Sequence, residues 1–483
     1  MNFITAMKSF LVIVFSLNQL LPLVSSQDAP LSRSAELGRG VNFGNMLDGW
    51  QEGSNGFVVK DEYFGIVKQV GMTHIRLPVS FTYYAESNAI YTLNTTFLSR
   101  IDEILDRAIN KFGIKVILDQ HHYDDLQADP VREEVRALSI WRQLATRYRY
   151  WNETMLYFEI QNEPHGKFNE IPSLWNEYLR KSLAVIRATN PTRKVLVGPT
   201  QWNGIAGLDS LIVPADNNLI LSMHYYSPFD FTHQGAEWIQ NVPAAGSVDW
   251  NPEVRNIYWW DYSWGLIKSL NNNTMGLKVQ YTNGWSMLSY HRPDGVRNIS
   301  KVIITINCTT SMKLGLRVSK GKNATSNEYS FQGGNQTFNT KVGIRTYTFN
   351  ISSQAKDFSE IHLQNMSPDP KIPIFLNNYY LITSIGEKIP VIVSQKDALE
   401  LDLAKIVRWS NAQRIPIPVH LGEFGTYKYA PLPSRGNWTR AVRKACESMR
   451  IDWAYWELAA GFGFWDTVQN KFIDEIKSAL VEN

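Results

Sequence analysis

Seven short stretches of this chain end in side chains that could grip a polyhydroxylated chain and move protons. They are Asn45 and Asp48; Arg76; His121-His122-Tyr123; Asn162-Glu163; His224-Tyr225-Tyr226; Glu423; and Trp456-Glu457. Carboxyls, imidazoles, a phenol, amides and a flat indole suit the holding and breaking of a sugar chain. Taken singly, each has a plainer explanation. His121 and His122 could be satisfied surface histidines or metal ligands, and Arg76 could simply close an ion pair. Together they make sense only if one architecture brings seven element ends into a common pocket.

The elements that would do so are legible. Leu156, Phe158 and Ile160 alternate with Tyr157, Glu159, Gln161 and Glu163 at period two, so the stretch reads as a strand with one apolar and one polar face. Pro164 has no N–H to give to a ladder and ends it. Such a strand suits a parallel barrel, with the apolar face on surrounding helices and the polar face toward the interior and mouth. Glu159 shares the face of Glu163 but lies deeper, which assigns it to a buried hydrogen-bond network. Further strands are expected at Arg39–Gly44, His74–Val79, Lys115–Gln120, Lys194–Thr200, Leu219–Tyr226, Val419–Phe424 and Ala454–Ala459. Apolar residues recurring at three and four separate them: Phe97, Ile101, Ile104 and Leu105; Leu138, Trp141 and Leu144; Leu174, Leu179, Leu183 and Ile186; Leu399, Leu403 and Ile406; Ile473, Ile476 and Leu480. Eight strands alternating with helices predict a (β/α)8 TIM barrel, an α/β fold whose chemistry sits at the strand carboxyl ends.

Between the sixth and seventh strands the helical rhythm stops. Over 249–393 stand alternating runs such as Lys301–Ile306, Leu314–Val318 and Tyr347–Ile351, broken by Asn-Gly, Asp-Gly and Gly-Gly signals at 283, 294 and 333. This predicts an inserted all-β domain, a sandwich, with residues 27–248 and 394–483 forming the barrel.

The balance of Lys+Arg 48 against Asp+Glu 45, with no basic stripe, excludes a nucleic-acid binder. Residues 1–26 resemble a secretory leader: Lys8, an apolar core from Phe10 to Val24, then Ser25 and Ser26. No later segment approaches the length of a bilayer span, so the expected product is an exported, extracellular protein with no membrane partner. Asn-x-Ser/Thr acceptors at Asn94, Asn152, Asn272, Asn298, Asn307, Asn323, Asn335, Asn350, Asn365 and Asn437 agree with a secreted glycoprotein. With only Cys308 and Cys446, no disulfide framework holds the fold.

The runs Gly40–Asn45, Ile75–Pro78, His121–Tyr123, Phe158–Pro164, His224–Tyr226 and Gly422–Gly425 resemble glycoside hydrolase family 5, in particular its cellulase-type members. The loop Thr232–Trp238 and Gly461–Gly463 strengthen the likeness, which covers about 37–480 apart from the insert. The resemblance implies a retaining β-glycosidase with Glu163 as acid/base and Glu423 as nucleophile. It also implies a support set of Arg76, Asn162, His224 and Tyr226. Arg76 would favour the ionised Glu423, Tyr226 would donate to the same carboxylate, and Asn162 would meet the substrate 2-hydroxyl. Substrate binding falls to Asn45, Asp48, His121, His122, His233, Trp238 and Trp456, the last offering a face on which a pyranose can stack. Trp50 and Trp202 are either further platforms or packed loop aromatics. A metal site would need matched ligand geometry, and neither metal nor cofactor is expected.

The implied activity is a secreted, monomeric endo-β-1,4-glucanase acting on polysaccharide. The alternatives are a β-mannanase or glucan/glucomannan hydrolase of the same fold, and a catalytically inactive polysaccharide-binding barrel. The insert, with Trp259, Trp260, Trp264, Trp285 and Tyr290 near its start, reads either as a carbohydrate-binding module or as a glycosylated structural domain.

Overall fold

The computed structural model describes residues 30–482 apart from 254, 258–259, 262, 271–276, 323–328, 332–335, 368–372 and 387. The expected leader, Trp259 and the acceptors Asn272, Asn323 and Asn335 lie outside the described residues. Two compact units emerge.

In the first, eight strands close a parallel barrel in chain order: β1 (Arg39–Asn42), β2 (His74–Val79), β3 (Lys115–Gln120), β4 (Leu156–Glu159), β5 (Val195–Val197), β6 (Leu219–His224), β7 (Val419–Glu423) and β8 (Asp452–Tyr455). β8 returns to β1 with Arg39 opposite Trp453. Several strands end earlier than their alternation suggests; β4 stops at Glu159, not Glu163. The alternation outlasts the ladder because the tips still point by turns into the mouth and toward the helices after strand pairing has ended. The floor of the barrel is apolar, closed by Leu37, Ile117, Tyr157, Leu196 and Ile220. Above it the interior turns polar, with His74, Arg76, Asp119, Glu159, Ser222 and His420 all buried.

The helices form where their apolar stripes fall, and their starts are capped. Asn94 accepts from Phe97 N at 3.0 Å ahead of Thr95–Asp106. Asp129 accepts from Arg132 N at 3.2 Å ahead of Pro130–Arg147, where Pro130 sits in the first turn; each side chain satisfies one orphan N–H. Phe97, Ile101, Ile104 and Leu105 from the first helix, and Trp141 and Leu144 from the second, pack into one belt with the outward strand residues Leu118, Phe158 and Val197. Among the described residues no helix is long and apolar enough to cross a membrane.

The second unit is all-β and runs from 257 to 392. One antiparallel sheet is built on Ile299–Cys308 and Ile374–Thr383, the other on Lys313–Lys322 and Phe358–Asn365. Val302, Ile304, Leu376 and Leu381 from one sheet and Leu316, Val318, Ile361 and Leu363 from the other share a single core. That is the layering of a sandwich. The unit begins later than residue 249 because Trp250 is buried in the barrel's core, Asp249 accepts from Ser434 Oγ at 3.2 Å, and Asn251 N donates to Gln395 at 3.0 Å. Cys308 and Cys446 are both free and buried. Asn365 is fully buried, and its Nδ2, the atom a glycan would occupy, donates to Asn283 O and Ser367 O. That acceptor sequence is therefore closed in the folded protein.

Candidate active site

The mouth is organised around Arg76, which β2 projects into the barrel with no exposed surface. Its Nε donates to Glu159 Oε2 at 2.7 Å, Nη1 to Glu423 Oε1 at 2.7 Å and Asn42 Oδ1 at 3.0 Å, and Nη2 to Asn162 Oδ1 at 2.9 Å. Nη2 also lies 3.0 Å from Asp119 Oδ2. Burial alone would lower its pKa, but Asp119, Glu159 and Glu423 raise it well above the usual value, so the guanidinium stays charged. Its planar fork is what allows one cation to hold acceptors from several strands. Glu159 takes Ser222 Oγ on its other oxygen at 2.7 Å and belongs to this internal network, below the mouth.

Glu423 ends β7. One oxygen faces Arg76 and the other accepts from Tyr226 Oη at 2.9 Å. Glu163 stands beyond the end of β4 with φ of +46°, a left-handed conformation that is costly for a non-glycine residue and turns the side chain into the mouth. His224 Nδ1 lies 2.8 Å from Glu163 Oε1 and 3.6 Å from Glu423 Oε2. Its Nε2 is 3.4 Å from Asn203 Nδ2, which can only donate; the proton is therefore assigned to Nδ1, facing the carboxylates. Ligating atoms of Glu163, His224 and Glu423 all lie within 4.8 Å of one another. The two carboxylates are thus near neighbours across the cleft.

Their surroundings differ. Burial pushes Glu163 up to about 7, against the lowering pull of Arg76, His122 and His165. Burial also raises Glu423, with His224, Arg76 and the Tyr226 hydrogen bond pulling it back down. Arg76 therefore acts on Glu423 in the expected direction without taking it below the ordinary value. His224 is lowered to about 4, by burial first, and is neutral above that pH. Asn162 spends Oδ1 on Arg76, and its Nδ2 has no hydrogen bond among the described residues.

Most of the remaining expected residues lie on the same mouth. Asn45, in a left-handed conformation, donates its backbone N–H to Asp48 Oδ2 at 2.9 Å and its Nδ2 to Glu457 Oε2 at 2.6 Å. Trp456 stacks on His121, centroids 5.6 Å apart and planes 4° apart, while His122 meets His121 edge-on at 4.6 Å. Gly44 makes room for this stack, because a Cβ there would come within 2.9 Å of the Trp456 ring. His233 is buried behind Tyr226, its ring against Phe229 at 4.0 Å and Tyr226 at 4.9 Å. This places it as a support for the Tyr226 ring. Trp238 is exposed and meets Tyr427 edge-on at 4.7 Å.

Two residues that the sequence names carry no single role there. Glu457 is a further carboxyl at the mouth, besides Glu163, Glu423 and Asp48, fully buried and raised to about 8 by that burial; its place at a strand end beside Trp456 was the available signal. Trp202 is half exposed on three successive left-handed residues, Gln201, Trp202 and Asn203, and stacks on His165 with centroids 5.3 Å apart. This left-handed turn presents the indole outward; the sequence leaves Trp202 open between a platform and a packed loop aromatic. Trp50 is exposed at 62%.

The model of the family "Cellulase (glycosyl hydrolase family 5)" matches residues 36–265. The chain is 33% identical over 205 residues to endoglucanase H of Acetivibrio thermocellus, covering 42% of this chain and 22% of that protein. It is 27% identical over 265 residues to endoglucanase A of Paenibacillus barcinonensis, covering 47% and 64%. It thus spans less than two thirds of these curated relatives. Among solved structures it resembles Thermotoga maritima Cel5A in complex with cellobiose, with TM-score 0.61 and 27% identity, covering 93% of this chain and 98% of that one. The same enzyme in complex with mannotriose gives TM-score 0.60 and 27% identity, covering 92% and 97%.

Proposed function

Because its barrel belongs to glycosyl hydrolase family 5, we propose that this protein is a retaining endo-β-1,4-glucan hydrolase with Glu163 as acid/base and Glu423 as nucleophile. The observation that carries the reading is the closeness of the two carboxylates, with ligating oxygens within 4.8 Å. Retaining enzymes hold the pair about 5–5.5 Å apart, whereas inverting ones leave roughly 6.5–9.5 Å for an attacking water. In the first step a Glu423 oxygen bonds to the anomeric carbon as the glycosidic C–O bond breaks. The Glu163 proton goes to the departing oxygen. In the second step water attacks the same carbon, returns its proton to Glu163 and releases Glu423. Arg76 and Tyr226 aim the Glu423 carboxylate and stabilise its charge when it is released. The neutral His224 donates to Glu163 Oε1, which leaves Oε2 as the oxygen able to carry the proton.

The substrate is read as a β-glucan chain lying along the mouth, with Trp456, Trp202 and Trp238 as stacking faces. The structural relative seen with both cellobiose and mannotriose keeps glucomannan or β-mannan as the alternative. A reducing-sugar panel over carboxymethylcellulose, mixed-linkage glucan, glucomannan, galactomannan and xylan separates the two. The all-β unit is read as a holder of polymer. Trp264 and Trp285 are exposed at 45% and 62%, and Asn365 and Gln364 pin the Trp285 turn through Asn283 O and Trp285 O. We read the protein as exported, through the leader-like residues 1–26, and as a monomer. Early proton NMR of cellopentaose cleavage, before mutarotation, tests the mechanism: a β-anomer must appear first, and an initial α signal refutes it.

A further inference from the structure

We propose that Asp48, His121 and His122 form a binding site for a divalent transition-metal ion of the zinc class, and that occupancy of this site closes the cleft to glycan. One ligating atom from each of the three lies within 4.8 Å of the other two. Asp48 is buried and has given Oδ2 to the backbone N–H of Asn45, but Oδ1 is buried without a hydrogen-bond partner. A carboxylate oxygen left unpaired out of water costs free energy that an incoming cation removes.

His121 is already arranged as a ligand. Its Nδ1 is held by Asp119 Oδ2 at 2.6 Å, which leaves the Nε2 lone pair free. A carboxylate behind the distal ring nitrogen is the arrangement that fixes tautomer and orientation in metal-bound histidines. The stack on Trp456 fixes the ring plane as well. His122 is exposed and supplies its imidazole from the open side. Two imidazoles and one carboxylate with an open fourth position suit zinc or its neighbours. Calcium and magnesium prefer oxygen shells.

A second group, Glu163, His224 and Glu423, is equally compact but poorly suited to a cation. Both Glu423 oxygens are engaged, by Arg76 and Tyr226, His224 presents its N–H to Glu163, and the guanidinium 2.7 Å from Glu423 repels positive charge. The metal therefore belongs at Asp48, His121 and His122. The claim of closure rests on the proposed function and on the family resemblance, which gives these three residues to substrate binding; the claim of metal binding does not.

The test is calorimetric titration of the EDTA-treated full-length protein with zinc chloride. One site is expected. His122→Ala and Asp48→Asn should each weaken it at least tenfold, and Glu423→Gln should leave it unchanged. The exposed His122 ring makes that variant safe for folding. Saturating cellotriose should reduce the apparent zinc affinity. Absence of binding at millimolar zinc, or loss in Glu423→Gln without loss in His122→Ala and Asp48→Asn, overturns the site. Zinc affinity indifferent to cellotriose overturns the closure while the site stands.

Discussion

The proton on Glu163 is the most exposed quantity in this reading, and it fixes the alkaline side of the pH profile. A carboxyl at the ordinary 4.5 would be protonated in only about 3% of molecules at pH 6, whereas one at about 7 is protonated in about 90%. Burial of Glu163 therefore raises the population of working acid roughly thirtyfold at that pH. The cost is about 3 kcal/mol of disfavoured ionisation, an upper figure because the side chain is 27% exposed to the cleft. The limb in kcat/KM on cellopentaose is thus expected at about pH 7, falling about tenfold per further pH unit above it. Substrate expels water from the cleft, so the limb in kcat should lie higher. Glu163→Ala, assayed with 2,4-dinitrophenyl cellobioside, should lose the limb, because that leaving group departs without a proton. An unchanged limb in the variant, or a wild-type limb near 4.5, would refute the assignment of Glu163.

Arg76→Lys should lower kcat at least 100-fold and destabilise the fold by about 3–5 kcal/mol, because one ammonium cannot reach Glu159, Asn162 and Glu423 together; urea unfolding and steady-state kinetics read the two effects. His74 and His420, paired Nε2 to Nε2 at 3.0 Å, are held neutral, His74 lowered to about 3 and His420 well below its ordinary value, both by burial first. Their unfolded forms bind protons below about pH 6.5 while the folded ones do not, so this stability is complete above 6.5 and lost as pH falls. His420→Gln keeps a donor to His74 without titrating and should flatten the slope of unfolding free energy between pH 6 and 4.5 by about 1.4 kcal/mol per pH unit; an identical slope contradicts the argument. Replacing 257–392 by a Gly/Ser linker should preserve hydrolysis of soluble oligosaccharides, and Trp285→Ala in the full chain should weaken pull-down by insoluble cellulose. Loss of folded barrel in the first, or unchanged pull-down in the second, counts against an independent polymer-holding unit.

Sequence by itself determined the order of elements, since period-two and period-3.6 patterns are local and strong here. The alternation from Leu156 to Glu163 was enough to send Glu159 inward and Glu163 to the mouth, although the ladder itself stops at Glu159, short of Pro164. The alternating runs after residue 249 likewise announced a sandwich, but not its edge. Trp250 looks like any aromatic at the head of a β-rich segment, and only its burial in the barrel core assigns it to the other unit. The same holds at the mouth. Arg76 and Glu423 are 347 positions apart, and Asn45 and Glu457 are 412 apart; barrel closure, which no local pattern encodes, makes them neighbours. The unpaired oxygen of Asp48, the left-handed turn under Trp202 and the burial that moves Glu163 and Glu457 belong to the same class. Each is set by what the rest of the chain places within a few ångströms, and there the tertiary structure alone decides.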